Sequence, residues 1–451
     1  MNKKSTILIL LLALCSLSFA QDNKSESVKQ HLQNHFKLYG FVRNYFSYDS
    51  RENVAGTGDL FNYLPKDNKW NQTEEEALQS GISREDLNAQ PSFRFLTLTT
   101  RVGLDIYGYK LSNTRFGGKI EADFYAGLTG VTGVAQFRLR HAYMTLAWDS
   151  LQMGENNLAH LNLLMGQTWH PMASDLSDVI SLNSGAPFGP FSRTPQVRFD
   201  AQLGKIVGLT GAAIWQMQYT SAGPDGASAN YIKYSLTPEA YLGLTIMPTE
   251  NFFFRIGGDM LNIKPRKTGT RIANDGSEVE IKVKDNITTV SPFFYLQYQN
   301  EIFSLKFKTI YAQAGEHVNL NGGYAVKKIN DDGSWEYTPS RNSSSWICMT
   351  IGKKVKGILF AGYVRNLGTK EPILDAKHYY FSKNSFKEMN QLWRLSPTVL
   401  WTLGKFQLGL EYEITSVQYG SGEINLNNGL YQDNLHWVTN HKVQLMTKYN
   451  F

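Results

Sequence analysis

The 451-residue sequence predicts an all-β fold, a transmembrane antiparallel β-barrel of about 16 strands with long extracellular loops and short periplasmic turns. Three observations predict it. Apolar and polar residues alternate with period two through most of the chain, long and short gaps separate the alternating segments in turn, and aromatic residues crowd the segment ends. A soluble sandwich also alternates, but it buries aliphatic residues. Here aromatics make up 13% of the chain and gather where a membrane barrel meets the lipid–water boundary.

In chain order, Lys3 and Lys4 precede an apolar run from Ile7 to Leu14, and Ser18-Phe19-Ala20 offers small residues at a cleavage site. Residues 1–20 therefore read as a signal peptide, removed on export. Its loss leaves Cys348 as the single cysteine, so an internal disulfide is excluded. Residues 21–35 read as a short periplasmic segment. Residues 36–451 contain no linker or composition shift and read as one barrel. No later segment has the ~18 consecutive apolar residues of a membrane-spanning helix.

The alternation defines the strands. Leu96, Leu98, Thr100, Val102, Leu104 and Ile106 fall on one face, with Phe95, Thr97, Thr99, Arg101, Asp105 and Tyr107 on the other. Phe137, Leu139 and Tyr143 oppose Arg138 and Arg140, and Phe303, Leu305 and Phe307 oppose Lys306 and Lys308. The predicted spans are 36–48, 93–108, 114–126, 135–148, 159–169, 195–203, 207–219 and 237–247, then 252–263, 286–299, 302–312, 344–353, 358–367, 391–402, 406–418 and 436–451. Connections such as 49–92, 170–194, 313–343 and 419–435 are long, whereas Gly204-Lys205, Asn300-Glu301 and Gly404-Lys405 are tight turns. Tyr39, Tyr45, Phe46, Trp148, Trp169, Trp215, Phe252, Tyr311, Trp346, Trp393, Trp401 and Trp437 are expected in the aromatic girdles. The last strand alternates out to Tyr449 and Phe451, an assembly signal of the kind read by the barrel assembly machinery of a Gram-negative outer membrane.

About sixteen strands leave an aqueous lumen, which implies a pore for small hydrophilic solutes. Loop 170–194 is apolar and proline-stiffened, and contains His170, Pro171, Asp175, Asp178, Pro187, Phe188 and Phe191. Exposed loops are normally polar, so this one is expected to fold inside as a constriction; a cap over the rim or a subunit contact is the alternative. The expected channel-lining, anion-binding cations are Arg43, Arg101, Arg138, Arg140, Arg193, Arg198, Arg255, Lys306 and Lys308. Lys119, Arg365, Arg394 and Lys442 also read as inward. Clustered guanidiniums favour carboxylates. The alternative is that they pair with Asp105, Asp123 or Asp200 and stiffen the wall.

Catalytic signatures are absent as linear motifs: there is no G-x-S-x-G, H-E-x-x-H or zinc-like Cys/His spacing. A site assembled across strands leaves no such trace. The chain is expected to be no enzyme and to hold no cofactor or metal. His141 and His441 fall on the lipid-facing parity. Basic residues alternate rather than forming a patch, which excludes nucleic acid. Phe61, Trp70 and Glu74 to Glu76 make the first long loop a possible contact for a surface partner. A transporter of hydrophobic compounds is a further alternative, but fifteen residues ahead of the first strand are too few for a plug.

Leu38-Tyr39-Gly40-Phe41-Val42-Arg43 with Asp49-Ser50-Arg51 resembles the first strand of DcaP-like outer-membrane porins. So do Gly166-Gln167-Thr168-Trp169-His170-Pro171, Leu182-Asn183-Ser184-Gly185-Ala186-Pro187 and Ser192-Arg193-Thr194-Pro195-Gln196-Val197-Arg198. These motifs lie within 36–203, and the later half matches in architecture. The resemblance implies a sixteen-stranded homotrimeric channel in outer-membrane lipid, admitting small anionic solutes such as dicarboxylates. The long coiled-coil extension of some members is missing.

Overall fold

The structure is a computed structural model describing residues 34–57, 60–97, 99–125, 135–152, 158–382 and 386–451. The expected signal peptide, residues 1–20, and most of the segment expected before the first strand lie outside these residues. Sixteen wall strands run in chain order: β1 Phe36–Asp49, β2 Arg101–Leu111 (continuing from Ser92–Leu96), β3 Thr114–Tyr125, β4 Gln136–Gln152, β5 Leu158–Trp169, β6 Arg193–Leu203, β7 Val207–Ile214 and β8 Glu239–Thr249. The second half comprises β9 Phe252–Ile263, β10 Ile287–Gln299, β11 Phe303–Gln313, β12 Trp335–Gly352, β13 Val355–Thr369, β14 Met389–Leu403, β15 Phe406–Asn425 and β16 Leu430–Asn450. Each pairs antiparallel with its neighbour. β16 then pairs with β1, from Phe41↔Asn450 to Asp49↔Lys442. Closure leaves no sheet edge, the condition for a sheet to span lipid.

Every expected strand has a counterpart. The turns at 112–113, 204–206, 250–251, 300–302, 353–354 and 404–405 are two or three residues long. The long connections fall on the opposite end, but 419–435 is not a loop: β15 and β16 extend past the wall and meet at a turn over 426–429. Loop 313–343 likewise contains a hairpin, Tyr324–Ile329 against the start of β12. In the first long loop, helix α1, Glu74–Ser80, starts at a capping box in which Thr73 and Glu76 satisfy each other's backbone N–H.

The outer surface carries Leu38, Val42, Val102, Ile120, Leu242, Ile256, Val399, Leu410 and Val443, all exposed as lipid-facing residues must be. Phe46, Trp215, Tyr311, Trp401 and Trp437 join them. Four expected girdle residues face inward instead. Tyr45 donates to the Ile180 carbonyl at 2.6 Å, Tyr39 donates to Glu121 at 2.8 Å, Trp169 stacks edge-on against Phe191, and Trp346 is buried beside Phe360.

Two bulges account for the parity errors at Leu96 and His141. β1 advances four residues from Phe41 to Tyr45 while its partner advances five, from Arg101 back to Leu96. The extra residue turns Leu96 inward, beside Tyr45 and Met446, and leaves Val102 outward. On β4, Leu139 pairs with Ala122 and His141 with Glu121, so Arg140 is the bulged residue. Both Arg140 and His141 consequently face the lumen. His141, expected against lipid, is buried with Nδ1 3.0 Å from the Thr168 hydroxyl. Arg365 is the reverse case. Ile358, Phe360 and Val364 are buried on the inner face of β13, and Arg365 is exposed on the outer one.

At the C-terminus, Phe451 exchanges backbone hydrogen bonds with Gly40 (3.1 and 3.4 Å) and lays its ring over that glycine. A Cβ at Gly40 would stand 2.5 Å from the ring, so the seam requires glycine there. Tyr449 is exposed on the outward face of the same strand.

Candidate functional site: an arginine-lined cavity in the lumen

Loop 170–192 turns into the barrel. His170 caps a 3₁₀ turn, Pro171–Ala173, its Nδ1 accepting the Met172 N–H at 3.1 Å. Beyond it, wall side chains grip the loop. Asp175 receives Arg255 (2.6 Å) and Lys308 (3.2 Å), while Asp178 receives Lys306 and the Thr350 hydroxyl. Glu411 accepts the Ile180 N–H at 2.9 Å, Glu413 accepts Asn183 at 3.1 Å, and Arg394 donates to the Ala186 carbonyl at 2.9 Å. Pro171, Pro187 and Phe188 are buried, and Phe188 fits against Phe360 and the bare face of Gly362.

The first long loop adds a second inward segment. Leu60, Phe61, Tyr63 and Leu64 join Phe188 and Phe191 in the largest apolar cluster. Phe61, read from sequence as available to a surface partner, is only 4% exposed and packs on Phe191 at 5.7 Å. Trp70 and Glu74 to Glu76 do remain outside.

Between these loops and the wall formed by β1–β6 and β14–β16 lies a cavity of about 330 Å³. Six cations border it: Arg43, Arg101, Arg138, Arg140, Arg193 and Lys448. Two carboxylates, Asp123 and Asp178, face them. Asp178 is held by Lys306. Asp123 takes a bidentate pair from Arg138 (2.9 Å twice) and a further contact from Arg140 at 2.8 Å. Glu121, behind the cavity, receives Arg140 at 2.8 Å and Arg101 at 3.2 Å.

Arg43, Arg193 and Lys448 differ from the rest: among the described residues none has a carboxylate within ion-pair distance. Arg43 Nε donates to Thr99 at 3.0 Å, a hydroxyl presented by the bulge in β2. Arg193 is 3% exposed, lies against Trp169 with its charge 5.0 Å from the ring centre, and leaves Nη1 buried with no hydrogen-bond partner. A buried guanidinium proton without an acceptor is costly, so this charge is held in place by its surroundings and not by a partner of its own.

The predicted cations thus divide. Arg43, Arg101, Arg138, Arg140 and Arg193 surround one cavity. Arg255, Lys306 and Lys308 are tied up holding the loop, and Arg198 pairs with Asp200 at 3.0 Å. The wall-stiffening alternative therefore describes part of the set. Lys448 was missed although its parity, two residues after inward Met446 and next to outward Tyr449, makes it readable. Trp169 and Gln218, also on the cavity wall, were not.

At the extracellular root of the loop is a second cluster. His170 Nε2 lies 2.6 Å from Glu239 and 3.5 Å from Asp259. His317 Nε2 lies 3.3 Å from Glu239 and 3.2 Å from Asp259. All four side chains are at most 1% exposed.

A closed sixteen-stranded barrel with tight turns at one end, long connections at the other and a loop folded into its lumen has the architecture of the outer-membrane porins. Among solved structures the chain is similar to the outer-membrane channel DcaP of Acinetobacter baumannii, at 17% identity and TM-score 0.61, over 92% of this chain and 97% of that one. It is also similar to the anion-selective porin of Comamonas acidovorans, at 10% identity and TM-score 0.52, over 92% and 99%. These likenesses concern the fold. No protein-family model matches the chain, and no curated protein matches it in sequence.

Proposed function

We propose that the chain is a passive outer-membrane channel, not an enzyme, that prefers small anions such as dicarboxylates. The observation that carries this reading is the cavity beside the inward loop, where six cations face two already-paired carboxylates and Arg193 keeps an unsatisfied donor. In a narrow, low-dielectric passage such an excess concentrates anions, and guanidinium forks match carboxylate geometry. That the Comamonas porin is anion-selective fits the reading. Under it, loop 170–194 is the constriction, residues 1–20 are a cleaved leader, Phe451 closes the barrel during assembly, and the chain works as a homotrimer. Liposome swelling tests the solute preference. Dicarboxylates should enter faster than neutral solutes of equal size and far faster than diamines. Equal rates for all three would leave a non-selective pore. A hydrophobic-compound transporter has less support, because the cavity's inner wall is charged.

A further inference from the structure

The second cluster has the donor chemistry of a metal centre. His170, Glu239 and Asp259 bring ligand-type atoms within 4.8 Å of one another, and His317 adds a second imidazole. The two histidines are not equivalent. His170 Nδ1 accepts the Met172 N–H, so its proton sits on Nε2 and is donated to Glu239 at 2.6 Å. That ring has no free lone pair to give a cation. His317 is the opposite: Nδ1 lies 3.3 Å from the Ala314 carbonyl and donates to it, which turns Nε2 toward both carboxylates. A metal-bound histidine is held in this way, with its far nitrogen donating to a carbonyl.

Distances and charge agree. Ligand atoms ~2.0–2.2 Å from a shared zinc-type ion stand about 3.3–3.5 Å apart at the tetrahedral angle. The His317 Nε2 contacts of 3.3 and 3.2 Å lie close to that edge. Those contacts are to Glu239 Oε1 and Asp259 Oδ2, and among the described residues the second oxygens, Glu239 Oε2 and Asp259 Oδ1, are buried without a hydrogen-bond partner. Two carboxylates and one imidazole nitrogen converge there, a donor set whose formal charge matches a divalent cation. A divalent cation taking the Nε2 lone pair would balance both carboxylates, and bidentate coordination would engage their second oxygens as well.

We propose that Glu239, Asp259 and His317 form a buried site for one divalent transition-metal cation of the zinc class, with His170 as a positioning residue that donates to Glu239. Mixed imidazole and carboxylate donors suit such ions. The ion would tie β8, β9, the 3₁₀ turn Gly315–Val318 and the root of the lumen loop together. No linear motif announces it because the ligands come from three separate elements. The site is independent of what the lumen carries.

The test uses the full-length chain, chelator-stripped and then folded or equilibrated with Co²⁺, with heat-shifted electrophoretic migration as the check on folding. The site predicts saturable uptake of one Co²⁺ per chain, a visible d–d band, and displacement by Zn²⁺. His317→Gln and Asp259→Asn should abolish uptake. His170→Gln should keep the stoichiometry and weaken affinity about 10- to 100-fold. X-ray absorption on the wild-type Co²⁺ form should show one imidazole in the first shell, which decides the matter even where a variant fails to fold. Substoichiometric uptake, a shell without imidazole, or loss of uptake in His170→Gln but not in His317→Gln would overturn the proposal.

Discussion

Arg193 shows how much of the site one residue can carry. It opens β6, leans on Trp169, lines the cavity and keeps one buried donor unsatisfied. Arg193→Gln removes the charge while retaining a polar side chain, and among the described residues Arg193 makes no ion pair whose loss would disturb the wall. The expected result is a drop in anion-over-cation permeability on the order of several-fold, with unchanged folding. Unaltered selectivity in the variant would assign the preference to other residues. Single positions of this kind were legible where alternation held: Arg43, Arg101 and Arg193 follow from parity or from the loop's composition. Their partners were not, because an ion pair such as Arg140–Glu121 depends on how neighbouring strands register.

At the scale of elements, the strands were readable and their irregularities were not. A bulge adds one residue without changing composition, so nothing in Thr97 to Thr100, or at Arg140, signals that the inward face changes parity there. The loop's inward course was legible from its apolar, proline-rich sequence; its seat was not. That seat is Gly362, where a Cβ would stand 2.4 Å from the Phe188 ring. Gly362→Val should therefore expel Phe188, at a cost of about 1–3 kcal/mol to loop packing, and widen the passage. Single-channel conductance should rise, and an unchanged value would mean the loop does not set it. Glu316, in the extracellular turn Gly315–Val318, gives a pH dependence. Its carboxylate accepts the backbone N–H groups of Ala222 and Ser382, yet burial pushes it up to about 7. A carboxyl raised in the folded state contributes stability below its ordinary value, and that contribution is lost as pH rises through the folded one. Limited proteolysis should cut loops 215–238 and 370–388 faster above about pH 8 than below pH 6, and Glu316→Gln should flatten the difference.

For the molecule as a whole, the sequence reads clearly because lipid imposes a simple rule. Every wall strand needs an apolar outer face and a paired backbone, so period-two segments and asymmetric gaps reveal strand number, closure and sidedness. The lumen obeys no such rule. Phe61 and the Phe188–Phe191 segment meet there from loops more than a hundred residues apart, and the His170–His317 cluster joins elements equally remote. The central claim concerns what this lumen favours, and a salt gradient across a planar bilayer tests it most directly. With the purified chain inserted, the account predicts open channels whose reversal potential takes the sign set by chloride. A reversal potential of potassium sign, or a silent bilayer from well-folded protein, would contradict it.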